Sequence, residues 1–344
     1  MTKLESSTAE KTTFGFKNLT ETFWVDVQRA EGRPLTVKLN APLTIGSSML
    51  ENLENVAIRV ELSNGCVGWG EASVLPSDTN GYQAMALAKA MEACQFLQRS
   101  PPMTLNLVLD QIGGILPGFE FASVRAGVEM AIIDAIANSL DVPICRLFGG
   151  ASNSLITTIT VPTVSLAEAS ELATKYCKQG FKTLRLRVGK NINADIEVIQ
   201  AIQAVHPHCS IILDASEEYT FQEAIVVLEK LHDIKVIPVL LEQPVHRGDW
   251  KGLSDVSRIA RDKYGISVAA DESCQSLSDV KKLLKENIVD AINIKLSKFG
   301  VLGALEIIDM TRKSGLNLII EGMAETRLAT GFAGHLAAGI GCFK

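Results

Sequence analysis

Apolar and polar residues change rhythm twice along this chain. In Phe23 to Gln28, Leu35 to Leu39 and Val56 to Leu62 they alternate, the period of strands buried on one face. Asn64-Gly65 and Gly68 to Gly70 supply turn chemistry around a further short strand, so an antiparallel sheet is expected here. Asn40 to Ser48, between two of these strands, reads as too broken for regular structure. From Gly81 to Gln98 the rhythm becomes helical; Pro101-Pro102 interrupts it, and Ala122 to Leu140 resumes it. Residues 1–20 read as a flexible tail, and 21–150 as an α+β domain.

Gly149-Gly150 and the polar Ser152 to Ser154 mark the second change. Beyond them, over residues 151–344, short apolar runs alternate with helical stretches, the pattern of parallel βα units. Seven strands are expected: Leu155 to Thr160, Thr183 to Val188, Ser210 to Asp214, Val236 to Glu242, Ile266 to Asp271, Ala291 to Leu296 and Asn317 to Glu321. Ser165 with Glu168 and Thr220 with Glu223 form capping boxes, while Gly180 and Gly315 stand where helices end. Units of about 25 to 30 residues predict a TIM-type (β/α) barrel, with its chemistry at the carboxyl ends of the strands. An open doubly wound sheet normally carries an early glycine-rich phosphate loop, and no such motif occurs. The 344 residues hold no eighth strand, so a barrel lacking its last strand, or a shortened product, is expected.

Bulk composition narrows the class. A formal charge of −6 argues against a partner such as nucleic acid or anionic membrane, both of which rely on a basic surface. No apolar run approaches a membrane span, and the first twenty residues lack the apolar stretch of a signal peptide. Seven cysteines without a CxxC pair fit free thiols in a reducing compartment, the cytoplasm or an organelle. A small-molecule substrate is expected, and a homo-oligomer is compatible with everything above.

The expected strand ends carry charge. Asp214, Glu242 and Asp271 are 28 and 29 residues apart, one strand-plus-helix unit each, which in a parallel barrel stands them side by side on one rim. A single acid in such a place is ordinarily a helix cap. Three in series suggest all-oxygen ligation of a hard cation, Mg²⁺, with Mn²⁺ as a substitute. Lys295 ends the next strand, where a buried lysine can serve as a base or pair with Asp271. Arg185 and Arg187 point one way from the second strand, and two such cations facing three acids could simply neutralise them. Thr160, ending the first strand, either lines the same rim or is an ordinary β-branched strand residue.

Leu241 to Val245, Ala270 to Ser273 and Asn293 to Lys298, together with Glu325 to Leu328 and Gly334 to Ala338, resemble motifs of the enolase superfamily. Within it, they are most similar to the muconate-lactonising branch and its dipeptide epimerases of the Ala-Glu type. The resemblance covers essentially the whole chain from Phe23. It implies a capping α+β domain before the barrel, and Mg²⁺-dependent isomerase chemistry by proton abstraction next to a carboxylate, as epimerase or racemase. Members of that superfamily pair a Lys or His base with one or two Mg²⁺ ions. Carried over, Asp214, Glu242 and Asp271 match the metal ligands and Lys295 matches the base on one face of the substrate. Pro42 to Ser48 and Val74 to Pro76 match, by position, the capping loops that close over substrate.

Three departures accompany the match. The family's Lys-x-Lys on the second strand, whose second lysine is the other base, is here Arg185 and Arg187. Arginine is not deprotonated in proteins, so Arg187 is expected to hold a carboxylate or stabilise negative charge, and Arg185 to bind substrate. Glu321 replaces a small residue on the seventh strand and adds an acid for substrate binding. The eighth-strand Asp-x-Asp that clamps the dipeptide ammonium lies outside the sequence. Two alternatives follow from these departures: a non-catalytic relic with a binding role, and a one-base cycloisomerase working through Lys295 alone.

Overall fold

The computed structural model describes residues 15–45, 48–74, 83–162, 165–189 and 191–343. Two compact units emerge: residues 1–155 with 294–309 and 320–343, and residues 156–293 with 310–319 and 344.

In the first unit a helix α1 covers residues 15–22, overlapping the end of the stretch 1–20 expected to be a tail. Strand β1 (Trp24–Val25) pairs with β5 (Met103–Thr104), and β2 (Val27–Ile45), β3 (Ser48–Leu62) and β4 (Val67–Ala72) form an antiparallel sheet. The expected break at Asn40 to Ser48 is corrected: β2 continues to Ile45, and Ser48 already begins β3. The pairing tolerates Pro42 because its register shifts between Lys38 and Leu43, so the missing N–H falls at an irregularity. Gly46, Ser47, Leu75 and Pro76, from the loops expected to close over substrate, lie outside the described residues.

Helices α2 (Gln83–Arg99), α3 (Leu105–Ile115), α4 (Ala122–Ser139) and α5 (Ile144–Leu147) complete this part. Helix α4 is buried on nearly all sides, because β4 approaches it backbone to backbone. A Cβ at Gly68 would lie 2.1 Å from the Ala135 nitrogen, and one at Gly70 would lie 1.9 Å from the Gly127 oxygen. Only glycine permits that approach.

The βα alternation appears as expected. Strands β6 (Ile159–Val161), β7 (Thr183–Arg187), β8 (Ser210–Asp214), β9 (Leu240–Glu242), β10 (Val268–Ala270), β11 (Ala291–Ile294) and β12 (Asn317–Ile320) form one seven-stranded sheet in sequential order. Every pair with a recorded register is parallel. Most strands are shorter than their apolar runs: Leu155 to Thr158 and Val236 to Val239 lie outside the ladder. Between the strands run α6 (Leu166–Lys178), α7 (Ile192–Val205), α8 (Phe221–Asp233), α9 (Trp250–Ile259) with a π-helical turn at Ala260–Tyr264, α10 (Leu277–Glu286) and α11 (Leu296–Ser314). Helix α12 (Arg327–Ile340) follows β12. Both capping boxes form, at Ser165 and Thr220. Among the described residues no helix is long and apolar enough to cross a membrane.

Candidate active site

The sheet positions the acids through its two-residue period. Ile212, Leu240, Ala269, Ala291 and Ile319, one from each of five successive strands, pack into a single apolar cluster. Two residues further along their strands, and therefore on the same face, come Asp214, Glu242, Asp271 and Asn293. A layer of polar side chains thus lies above a layer of apolar ones at the carboxyl ends of β8 to β11. All four are buried, Glu242 and Asp271 with 1% and 2% of their surface exposed.

Each acid has its own setting. Asp214 Oδ1 accepts from the Ser216 amide (3.1 Å) and hydroxyl (2.6 Å), and its Oδ2 accepts from Arg185 Nη2 at 2.9 Å. The chain turns sharply after Asp214, with positive φ at Ser216 (42°) and Glu217 (72°). Glu242 Oε1 accepts from Asn293 Nδ2 at 2.7 Å, and Glu242 Oε2 lies 3.0 Å from the same Arg185 Nη2. One carboxylate oxygen of Glu242 and one of Asp271 lie within 4.8 Å of each other, close enough to share one cation. Among the described residues Asp214 does not join that cluster. Buried oxygen donors of this kind suit a divalent metal ion.

Arginine placement follows from register. Arg187 aligns with Asp214 and so belongs to the polar layer, whereas Arg185 aligns with Ile212, one pleat lower. The long arm of Arg185 spans that step and delivers its guanidinium between Asp214 and Glu242. The neutralising arrangement considered from sequence is therefore the one Arg185 adopts. Arg187 is half-buried. Thr160 aligns with Arg185 across β6 and β7 and is exposed.

Lys295, directly after β11, is buried, and its Nζ stands 3.7 Å from Glu321 Oε2. The nearby Glu325 is pushed up to about 7, first by burial and then by the charge of Glu71. Glu71 is itself buried and accepts from Asn55 Nδ2 (2.7 Å), from the amide (2.8 Å) and hydroxyl (2.7 Å) of Thr326 and from the amide of Ala329 (3.2 Å). A carboxylate from β4 thereby caps the start of α12.

Gln243 carried no signal as a functional residue in the sequence. It is fully buried with φ of 38°, and its Oε1 accepts from the amides of Asp271 (3.0 Å) and Ser273 (3.1 Å). Its Nε2 donates to the Val245 carbonyl (2.9 Å) and the Ser273 hydroxyl (2.8 Å). Gln243 therefore fixes the backbone that presents Asp271. The available clues were adjacency to Glu242 and a place in the Leu241 to Val245 motif, neither of which gave it a role. Asn293 was legible only as part of a motif, without a role.

Residues 168–344 match the model of the enolase C-terminal domain-like family, and residues 30–149 that of the mandelate racemase / muconate lactonizing enzyme N-terminal domain. An L-Ala-D/L-amino acid epimerase of Populus trichocarpa is 63% identical over 339 residues, spanning 98% of this chain and 80% of that protein. A substrate-liganded L-Ala-D/L-Glu epimerase from Bacillus subtilis superposes with a TM-score of 0.84 at 31% identity, covering 91% of this chain and 87% of the other. A dipeptide epimerase from Enterococcus faecalis V583 complexed with Mg and the dipeptide L-Leu-L-Tyr gives a TM-score of 0.83 at 29% identity, covering 92% and 88%.

Proposed function

The chain belongs to the mandelate racemase / muconate lactonizing enzyme family of the enolase superfamily, and from that membership we propose that it epimerises dipeptides of the Ala-Glu kind by moving a proton at the carbon next to a carboxylate. The observation that carries this reading is the buried layer of oxygen donors ending β8, β9 and β10. Asp214, Glu242 and Asp271 would hold the cation, Mg²⁺ with Mn²⁺ as a substitute. When bound, that cation supplies positive charge beside the substrate carboxylate, where negative charge develops as the proton leaves.

The remaining steps belong to this chain's own side chains. Lys295 takes the α-proton from one face of the substrate. Glu321, close to the Lys295 ammonium, orients that arm and offers an acid to the dipeptide. Arg187, permanently charged, holds a carboxylate rather than acting as a base. Thr160 offers a hydroxyl to the same end of the substrate. Return of the proton on the opposite face then falls to solvent. The odd number of cysteines, seven, without a CxxC pair supports a reducing compartment, cytoplasm or organelle.

Proton NMR of L-Ala-L-Glu in D₂O with Mg²⁺ tests the base. The unmodified protein is expected to exchange the α-proton of the Glu residue, and Lys295→Ala to abolish that exchange. Exchange that persists in Lys295→Ala refutes the assignment.

A further inference from the structure

Most of the site is a set of oxygen donors suited to a cation, and Arg185 does not conform to it. One guanidinium nitrogen lies 2.9 Å from Asp214 Oδ2 and 3.0 Å from Glu242 Oε2, and all three side chains are at least 88% buried. Asp214 turns its other oxygen to Ser216. Among the described residues the cluster close enough to share a cation includes Glu242 and Asp271 and not Asp214.

We propose that Arg185 is a built-in counter-cation that a divalent ion must displace before Asp214 and Glu242 can ligate it together. This rests on the assignment of Asp214, Glu242 and Asp271 as ligands. A Mg²⁺ ion requires oxygens at about 2.1 Å, so an ion bridging Asp214 Oδ2 and Glu242 Oε2 would stand between them, where Arg185 Nη2 now meets both. The two cannot share the position. Neither can the conflict be relieved by proton loss, because a guanidinium keeps its charge at any ordinary pH. Burial sharpens the repulsion, since little water stands between like charges there to screen them. The ion-free protein gains in return: Arg185 neutralises acids that would otherwise repel one another.

Two consequences separate this device from an ordinary ligand set. Metal affinity is weakened by a residue that touches no metal, and removing that residue strengthens binding while weakening the ion-free fold. Mn²⁺ binding to the full chain, followed by the EPR signal of the free ion, reads the first consequence. Thermal unfolding in EDTA reads the second. Arg185→Gln is expected to bind Mn²⁺ at least tenfold more tightly than the unmodified protein, and to melt at a lower temperature in EDTA. Arg185→Lys keeps a charge but loses the planar fork, so a severalfold gain is expected; this variant also serves if Arg185→Gln does not fold. Affinities equal to that of the unmodified protein in the variants that fold overturn the displacement. Absence of saturable Mn²⁺ binding in every form overturns the ligand assignment itself, and the displacement with it.

Discussion

Glu129 offers a measurement whose size follows from its surroundings. Helix α11 is broken at Gly300, which has φ of 74° and ψ of 173°. The second half of α11 therefore begins anew, and its first amides, Val301 and Leu302, donate to the Glu129 carboxylate reaching from α4. A Cβ at residue 300 would lie 2.8 Å from Glu129 Oε2, so glycine serves both the backbone angle and the approach. Full burial pushes Glu129 up to about 7 against an ordinary 4.5, although the two amides and Arg125 pull it down.

That gap, at about 1.4 kcal/mol per tenfold change in proton affinity, amounts to about 3 kcal/mol. The sign follows from the folded protein binding the proton more tightly than the unfolded chain. The contribution is fully present below pH 4.5 and is lost as pH rises through about 7. Glu129→Gln cannot ionise and has no such dependence. Urea unfolding followed by circular dichroism between pH 4.5 and pH 8 should therefore show the stability of the unmodified protein falling by about 3 kcal/mol relative to Glu129→Gln. Glu325, which is also raised, is common to both proteins and cancels. A difference that stays flat to within about 1 kcal/mol would refute the reasoning, and would mean that Arg125 and the amides compensate fully for burial.

Two other substitutions test the site. If solvent returns the proton, exchange of the α-proton in D₂O should outrun net epimerisation, and Arg187→Lys, which supplies a second base, should bring the two rates together; equal rates in the unmodified protein would exclude solvent return. Gln243→Ala leaves the amides of Asp271 and Ser273 without their buried acceptor, so a loss of about 3 kcal/mol in urea unfolding is expected, with a loss below about 1 kcal/mol counting against its positioning role.

The sequence made the sheet legible because each βα unit repeats the same demand, an apolar run followed by an amphipathic helix. Asp214 and Glu242 close their strands as the spacing suggested, and Asp271 follows β10 directly. Strand lengths were overestimated because apolar runs such as Val236 to Glu242 extend past the few residues that hydrogen-bond in the ladder: Ile237 and Val239 precede β9 and are exposed. The long hairpin of β2 and β3 was hidden by a proline that the register shift accommodates, a pairing effect that local pattern does not encode. The partners of Glu129 and Glu71 are 172 and 255 residues away along the chain, so nothing near either acid announces its role as a helix cap. Arg185 was visible as a cation facing acids. Its choice of Asp214 and Glu242 followed only from register.

Sequential strand order also carries a kinetic consequence. Each inner strand of the seven-stranded sheet lies beside its predecessor and its successor in the chain, with β6 and β12 at the two edges. As the chain leaves the ribosome, every new strand meets an edge already laid down, after a loop one helix long has closed. Loop-closure entropy grows slowly with length, so each addition costs a similar and modest amount. Growth from β6 towards β12 also fixes the order in which charge is buried. Arg185, on β7, is in place before Asp214 on β8, and Asp214 before Glu242 on β9. In such vectorial assembly, neither of those acids has to enter the growing interior ahead of its counter-charge.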